Sequence, residues 1–212
     1  GAKGAPSGIA KAAVAGSVKL TATGLEGDAQ GDPKNHGGPE KAVHHYPFEH
    51  YAAWKSEIGD HDLLGRAGGF GENLSASGLT EDNVSIGDVF EIGSAVVEVA
   101  QGRQPCWKLN ERFGRKDMAK LVQSTGRTGW YYRVLGEGVV EAGNEIRRVE
   151  RKCAEWTIAR VWRVFYVDML NRDELARLSE LEPLASGWRD YALKRLRSGK
   201  VEDWTSRLTG SS

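Results

Sequence analysis

Alternating apolar and polar positions dominate the first part of the chain, as is typical of half-buried strands. Residues 18–23 alternate in this way and predict one strand. Residues 90–99 predict a β-hairpin, because glycine begins the two-residue loop Gly93-Ser94 and suits a type II′ turn. Residues 139–149 predict a second hairpin, with its turn at Gly143-Asn144.

Apolar residues at helical spacing interrupt these strands in two places. One stripe covers residues 48–58, with Pro47 suited to the first helical turn and Gly59 to the C-terminal cap. The other covers residues 118–122 and is closed by Gly126. Both stripes are expected to pack in the core.

After residue 156 the apolar spacing is helical. Three stripes predict three helices, at residues 158–165, 175–181 and 188–196. Thr157 is a suitable N-terminal cap for the first helix, and the second starts near Asn171. Pro183 follows the end of the second helix, and Gly199 ends the third.

The change of period near residue 150 divides the chain into two predicted parts. We predict an α+β fold, with a β-rich domain over residues 1–150 and a three-helix region over residues 151–212. A chain of 212 residues is long enough for one substantial core and a smaller appended unit. Its 27 glycines suit short strands joined by tight turns.

The chain carries 29 basic and 29 acidic side chains, so its net charge gives no reason to expect binding to nucleic acid or to a membrane surface. No apolar run approaches the roughly 18 residues of a membrane span, and no signal peptide is recognisable. Two cysteines, Cys106 and Cys153, do not make a disulfide framework, so a reducing cytoplasm is the expected setting.

Cys106 is the candidate reactive residue. It follows an apolar strand and lies between Arg103 and Lys108. Positive charge and helix N-terminal amides favour the thiolate, which is the form that ligates a metal or attacks an electrophile. The alternative is that Cys106 is a small buried apolar residue, which composition alone favours. Cys153 has no such surroundings and is expected to be structural.

A second cluster of candidate residues lies between positions 36 and 46. The Gly37-Gly38 backbone could approach an anion, with Lys41 as a counter-charge. His44 and His45 point to opposite faces of an extended segment, so the spacing gives little support for a zinc site. His44 is expected to be a hydrogen-bonded histidine of a sheet or of the surface.

Two glycine-containing segments, 25–30 and 70–74, place carboxylate and amide side chains beside flexible backbone. Taken alone, each segment is expected to be a turn, in which Asp and Asn side chains bond their own backbone. The sequence contains no phosphate-binding loop and no dinucleotide fingerprint.

Together these segments resemble a MOSC domain, of the kind found in YiiM-type hydroxylaminopurine-resistance proteins. The matching stretches follow one order along nearly the whole chain and are 25–30, 36–39, 45–51, 70–74, Gly87-Asp88, Pro105-Cys106, 108–110 and Gly129-Trp130. The appended helices are similar to the family's C-terminal three-helix region. The resemblance implies a barrel-like β domain that binds a molybdenum cofactor of the molybdopterin type.

The resemblance also implies roles for particular residues. Cys106 matches the family's cysteine that is taken to contact molybdenum, a role that suits a soft thiolate. The candidates for binding the pterin or phosphate part of the cofactor are His36, Gly37, Gly38 and Lys41, and the further pocket candidates are Asp28, Asn73 and Arg103. Glu72 is a candidate proton donor, because cleavage of an N–O bond needs protons as well as electrons.

The implied reaction is the two-electron reduction of a small N-hydroxylated compound, such as a hydroxylamino base, to the amine. Electrons are expected from a separate redox protein, because the sequence has no flavin fingerprint, haem motif or iron–sulfur cysteine set. The sequence leaves open whether the chain forms an oligomer.

Two alternative functions stay open at this point. The chain could be a non-catalytic carrier, in which Cys106 holds cofactor or sulfur for delivery. It could also be a metal-free thiol hydrolase that pairs Cys106 with His36, His44 or His45.

Overall fold

The computed structural model describes residues 8–28 and 37–210. Its strands are β1 Val18–Thr21, β2 Gly24–Leu25, β3 Val43–Pro47, β4 Leu74–Ala76, β5 Asp88–Ile92, β6 Ala95–Gly102, β7 Trp130–Gly136, β8 Gly138–Val140 and β9 Ile146–Arg151. Its helices are α1 Glu49–Ile58, α2 Lys108–Arg112, α3 Met118–Thr125, α4 Ile158–Tyr166, α5 Arg172–Ser179, α6 Ser186–Ser198 and α7 Thr205–Thr209. Short 3-10 turns occupy Pro39–Lys41 and Asp62–Leu64.

Six strands form one curled sheet with the order β4-β3-β7-β6-β5-β9. Neighbouring strands in this sheet are antiparallel, except that β3 and β4 run parallel. A smaller sheet has the order β2-β1-β8. The curled sheet has the shape of a half-barrel, which confirms the predicted α+β class with a barrel-like β domain.

The predicted strand at the start of the chain and the β5–β6 hairpin are confirmed. Ile92 pairs with Ala95, which leaves Gly93-Ser94 as a two-residue turn, and Gly93 has a φ of 58°. The second predicted hairpin is wrong. Strand β8 pairs with β1 and strand β9 pairs with β5, so the two strands belong to different sheets.

The turn predicted between β8 and β9 is nevertheless present. The Asn144 amide donates to the Glu141 carbonyl at 3.0 Å, and the Glu141 amide donates to Asn144 Oδ1 at 2.9 Å. Turn residues fix only the local bend of the chain. Longer-range contacts decide where the strands go; one example is the Ser94 amide, which donates to the Val139 carbonyl at 3.1 Å.

Helices α1 and α3 lie where the apolar stripes predict them, and they end at Gly59 and Gly126, whose φ values are 86° and 73°. The placement of Pro47 in the first turn of α1 is wrong, because Pro47 is the last residue of β3 and pairs with Ala76. The Phe48 amide also donates to the Ala76 carbonyl at 3.0 Å. Sheet pairing therefore continues up to the residue before the helix.

Helices α4, α5 and α6 confirm the predicted three-helix region. The Thr157 side chain accepts a hydrogen bond from the Arg160 amide, and the Asn171 side chain accepts one from the Glu174 amide. Gly199 ends α6 in the left-handed conformation. The sequence pattern does not predict α7, because five residues are too few to show an apolar stripe.

The largest apolar cluster lies between the curled sheet and the C-terminal helices. It joins Phe90 and Trp130 of the sheet to Trp162, Phe165 and Trp188 of the helices, all of which are buried. The β domain and the three-helix region therefore share one core. Within residues 8–28 and 37–210, none of the helices combines the length and the apolar content needed to cross a lipid bilayer.

A second apolar cluster packs α1 and α3 against the loop before β4. It includes Tyr46, Trp54, Phe70 and Met118, and the Tyr46 and Phe70 rings stack with their centroids 4.2 Å apart. Stacked aromatic rings add to the stability that burial gives. The cluster holds Phe70, which is also part of the cavity wall described next.

Candidate functional site

A cavity of about 600 Å³, including its open mouth, lies beside β3 and the segment that follows β6. Residues from six separate stretches of the chain form its wall, and they are Gly8, Ile9, Lys11, Asp28, Lys41, Ala42, His44, Phe70, Gly71, Asn73, Arg103, Cys106, Lys108 and Tyr131. Concave sites with a few convergent polar groups are where small molecules usually bind. The site therefore exists only in the folded chain, which brings these distant stretches together.

Cys106 lies in the cavity wall as a free thiol with 8% of its surface exposed. It sits between β6 and α2, and the Leu109 amide donates to its carbonyl group at 2.9 Å. Cys106 is therefore largely buried, but it borders the cavity and does not lie apart from it. Cys153 is not part of the wall, and burial raises its pKa, which disfavours its thiolate form.

Basic side chains outnumber acidic ones among the described residues of the wall. Lys11, Lys41, Arg103 and Lys108 line the cavity, whereas Asp28 is the one carboxylate in that set. Asp28 also forms an ion pair with Lys11. A cavity with an excess of positive charge favours an anionic group in its ligand.

Asn73 ties Asp28 to strand β3. Its side-chain NH₂ donates to Asp28 Oδ2 at 2.8 Å, and its side-chain oxygen accepts from the His44 amide at 2.9 Å. The Asn73 amide in turn donates to the His44 carbonyl at 2.8 Å. The sequence candidates Asp28 and Asn73 thus lie together in the wall, and backbone pairing with β3 holds them there.

Arg103 is a buried cation of the wall, with 5% of its surface exposed. Its amide donates to the Gly129 carbonyl at 3.0 Å, and its carbonyl accepts from the Thr128 hydroxyl. Glu81 accepts hydrogen bonds from the Thr128 and Gly129 amides at 2.9 and 2.7 Å. One buried carboxylate therefore fixes the loop that in turn fixes the backbone of Arg103.

His44 and Tyr131 are a directly opposed pair on β3 and β7, and their ring centroids lie 5.1 Å apart in the cavity wall. Burial, followed by the charge of Arg103, lowers the pKa of His44 well below 6.5. Burial raises the pKa of Tyr131, an effect that Arg103 opposes. Both side chains are therefore uncharged hydrogen-bonding groups at neutral pH. No hydrogen-bond partner for His44 Nε2 is found in the described part of the chain.

The sequence pattern does not mark Tyr131 or Lys11 as site residues, and it names His44 only as one possible partner of Cys106 in a thiol hydrolase. His44 is predicted to be an ordinary sheet or surface histidine, and it does lie in a sheet, but its ring faces the cavity. The only signal that pairs it with Tyr131 is the register between β3 and β7. A single sequence does not reveal register between strands that lie far apart in the chain.

Glu72 is not among the residues of the cavity wall. It is buried, and its carboxylate accepts hydrogen bonds from the Gly68 amide at 2.7 Å, from the Phe70 amide at 3.0 Å and from the Tyr51 hydroxyl. A carboxylate with these partners holds the backbone of its loop in place. This environment is that of a structural anchor behind the wall.

The remaining sequence candidates precede the wall residue Lys41. Gly37 and Gly38 are not themselves part of the wall. Gly38 has a φ of 97°, and its carbonyl accepts from the Lys41 amide at 3.0 Å, so it starts the turn that leads into the wall. His36 lies outside the described residues.

Comparison with known proteins agrees with the residue motifs. Residues 32–147 match the family described as MOSC domain, and residues 156–199 match the family described as YiiM-like, 3-alpha helix domain. The chain is 43% identical over 208 residues to Protein YiiM of Escherichia coli (strain K12), a match that covers 98% of this chain and 92% of that protein. The crystal structure of YiiM from Escherichia coli superposes with a TM-score of 0.83 at 40% identity and covers 92% of each chain.

A further relative, from Gibberella moniliformis (strain M3125 / FGSC 7600), is named Reductase and is 38% identical over 184 residues. That match covers 86% of this chain but 32% of the relative, so most of the relative's length lies outside the similarity. The similarity to YiiM over nearly the full length of the chain and the two family matches confirm the resemblance found in the sequence. The chain belongs to the MOSC family and carries the YiiM-like three-helix domain behind its MOSC domain.

Proposed function

We propose that this chain is an oxidoreductase that binds the molybdenum cofactor and reduces N-hydroxylated compounds to amines. The observation that carries the proposal is the thiol of Cys106 in the wall of a positively charged cavity. MOSC domains are generally associated with binding of this cofactor, and the relative named Reductase supports a redox role. The substrate class rests on the resemblance to hydroxylaminopurine-resistance proteins.

The residues of the cavity suit this cofactor in their chemistry. The Cys106 thiolate would be a soft ligand for molybdenum and would add to the sulfur donors of the pterin. Lys41 and Arg103 would attract the cofactor's phosphate, with the Gly37-Gly38 backbone as a further candidate on that side.

When bound, the cofactor would supply the two electrons of the reduction, R–NHOH + 2e⁻ + 2H⁺ → R–NH₂ + H₂O. The chain binds and orients the substrate and supplies hydrogen-bond donors. Tyr131 keeps its proton because burial raises its pKa, so its hydroxyl can donate to the oxygen that leaves as water. We assign Glu72 to holding its loop, since its carboxylate already accepts three hydrogen bonds behind the wall.

The electrons have to enter from outside the chain in this scheme. We propose a separate redox protein as the donor and a reducing cytoplasm, in which Cys106 stays a thiol, as the setting. The cavity's open mouth is the natural route for the small N-hydroxylated substrate.

A non-catalytic carrier of cofactor or sulfur would use the same cavity and the same cysteine. Turnover with a reconstituted electron donor separates it from the reductase. A thiol hydrolase is less well supported, because burial lowers the pKa of His44 and so disfavours the imidazolium that would pair with a thiolate. His45 lies on the opposite face of β3, where Nδ1 is 3.0 Å from the Tyr132 hydroxyl.

Replacement of Cys106 by serine tests the reductase directly. We expect wild-type protein from a molybdenum-competent host to contain molybdenum and to reduce a hydroxylamino base when a redox partner is supplied. We expect C106S to fold but to lose turnover to background, because serine is a poor soft-metal ligand. Molybdenum content and turnover are measured on the same samples.

C153S is the matched control, because Cys153 lies outside the cavity wall, and it should keep both molybdenum and turnover. A folded, cofactor-loaded C106S protein with full activity would overturn the ligand role of Cys106. Loaded wild-type protein that retains cofactor but never turns over would favour the carrier instead.

A further inference from the structure

We propose that helix α7 holds the segment that carries Cys106 by hydrogen bonds on both sides of the cysteine, an arrangement that we call the clasp. Arg207 is the positioning residue of this clasp. Helix α7 lies outside both family matches, which cover residues 32–147 and 156–199. The effect on turnover rests on the proposed function. The contacts that form the clasp are properties of the chain alone.

The side chain of Arg207 holds the peptide group that leads into Cys106. Its Nη1 donates to the carbonyl oxygen of Pro105, and its Nη2 donates to Gln123 Oε1 at 2.6 Å. The Pro105 carbonyl belongs to the peptide bond with Cys106. Because the guanidinium is planar and engages both acceptors at once, it fixes this peptide group against α3.

The main chain of α7 holds the other side of Cys106. The Trp107 amide donates to the carbonyl of Arg207 at 2.7 Å, and the Asn110 side chain donates to the carbonyl of Leu208 at 2.8 Å. Gly210 packs so closely that an added Cβ would lie 2.9 Å from the Trp107 ring. The peptide groups before and after Cys106 are thus both bonded to α7.

Helix α4 contributes a further contact on the same segment. The Gln104 side chain donates to the Tyr166 hydroxyl at 2.8 Å, and the Tyr166 ring packs against Trp204 with the centroids 5.0 Å apart. The residue that precedes Pro105 is therefore held by the C-terminal region as well. Trp204 directly precedes α7, so the two contacts belong to one assembly.

An ion pair between the buried Arg195 and the partly buried Glu202 anchors the chain that leads into α7. Glu202 accepts hydrogen bonds from Arg195 Nε at 3.0 Å and from Arg195 Nη2 at 2.7 Å. Arg195 is 1% exposed, and its Nη1 donates to the Phe165 carbonyl at 2.9 Å. Bidentate pairs of this kind hold a fixed geometry, so α7 is tied to α6 and α4 and cannot follow the cysteine segment freely.

The contacts with α7 set the position of the Cys106 sulfur in the cavity wall. Displacement of a reacting group by about 1 Å can cost as much as a hundredfold in rate. Loss of the Arg207 hydrogen bonds should therefore lower kcat while the KM for the N-hydroxylated substrate stays near its wild-type value. A residue needed only for global stability would not give that separation.

The test compares R207Q and R207K with wild type and with R197Q, a control at an exposed arginine of α6. Hydrogen exchange is measured on the cofactor-free full-length chain, and kcat and KM are measured on loaded protein. In R207Q we expect exchange of the amides in residues 104–110 to rise about tenfold, as loss of hydrogen bonds from a charged donor implies. Exchange in β5 and β6 should not change.

Turnover should follow the exchange data. We expect kcat of R207Q to fall at least about tenfold with an unchanged KM. R207K keeps the charge but can reach fewer acceptors, so both effects should be intermediate, and R197Q should match wild type. Partial rescue by lysine distinguishes a positioning role from simple loss of packing.

Unchanged exchange of residues 104–110 in R207Q would overturn the clasp, and so would an equal increase across the whole chain, which would mean general destabilisation. Local exchange that rises without any change in kcat would overturn the positioning role of Arg207. If loaded wild-type protein has no reductase activity, the proposed function fails, while the exchange measurements on the cofactor-free chain still decide whether α7 clasps the cysteine segment.

Discussion

Gly129 shows at the scale of a single residue why the loop beside Arg103 requires glycine. Its φ is 68°, in the left-handed region that L side chains rarely adopt. A Cβ at this position would lie 2.2 Å from the His45 carbonyl oxygen and 3.1 Å from His44 Nε2. The first contact is with backbone, so no side-chain rotation relieves it.

We expect G129A to lower the free energy of unfolding by about 3 kcal/mol or more, because it combines backbone strain with a clash in the core. Gly114 provides the matched control: its φ is 59°, and an added Cβ would meet nothing within 4 Å. G114A should therefore lower the free energy of unfolding by only about 1–2 kcal/mol, because it introduces the strain of the left-handed conformation without a clash. Urea unfolding of both variants measures the difference, and equal losses would refute the role of the clash.

The residue scale also shows what a single sequence can and cannot reveal about the site. Cys106, Arg103 and Asn73 are marked by local motifs, and all three lie in the cavity wall. The pairing of His44 with Tyr131 carries no such mark, because it depends on the register of β3 with β7. Glu72 lies within a motif, but its side chain points into hydrogen bonds behind the wall.

At the scale of elements, helix ends are the part that local chemistry determines best. Thr157 has the extended backbone of an N-terminal cap, and its Oγ1 accepts from the Arg160 amide at 3.2 Å. Asn171 plays the same part for α5. A cap needs only one side chain and a nearby amide, so the sequence alone predicts it. The failed hairpin of β8 and β9 shows the contrast, because partner choice there depends on distant strands.

We expect T157A to lower the free energy of unfolding by about 1 kcal/mol, since the Arg160 amide loses its acceptor. In a chain of this size that loss corresponds to a fall in Tm of about 2–4 °C. T157S keeps the hydroxyl and should restore most of the Tm, as thermal unfolding followed by circular dichroism will show. If T157S melts as low as T157A, the lost methyl group and not the cap explains the change.

At the scale of the whole molecule, the curled sheet buries two adjacent histidines on its two faces. His44 lies in the cavity wall, whereas His45 packs against Trp130 with the ring centroids 4.5 Å apart. Burial lowers the pKa of His45 to about 3, and burial followed by Arg103 lowers the pKa of His44 well below 6.5. Strand alternation predicts the opposite faces, but the burial of both faces follows only from the assembled fold.

These two histidines predict how the stability of the whole chain depends on pH. Between pH 6.5 and pH 3 the unfolded chain binds a proton at His45 that the folded chain does not, so acidification lowers the free energy of unfolding. Each such histidine contributes about 1.4 kcal/mol per pH unit between its folded and its unfolded pKa.

Carboxylates with lowered pKa, such as Glu174 and Glu202, lose their contribution to stability only at lower pH. Urea unfolding between pH 7.5 and 5 therefore isolates the effect of the histidines. We expect wild-type stability to fall as the pH drops through this range, and we expect the slope of H45Q to be smaller by an amount that grows to about 1.4 kcal/mol per pH unit towards pH 5, where the unfolded imidazole is almost fully protonated. A wild-type free energy of unfolding that stays constant or rises between pH 6.5 and 5 would show that these imidazoles are not held neutral by the fold.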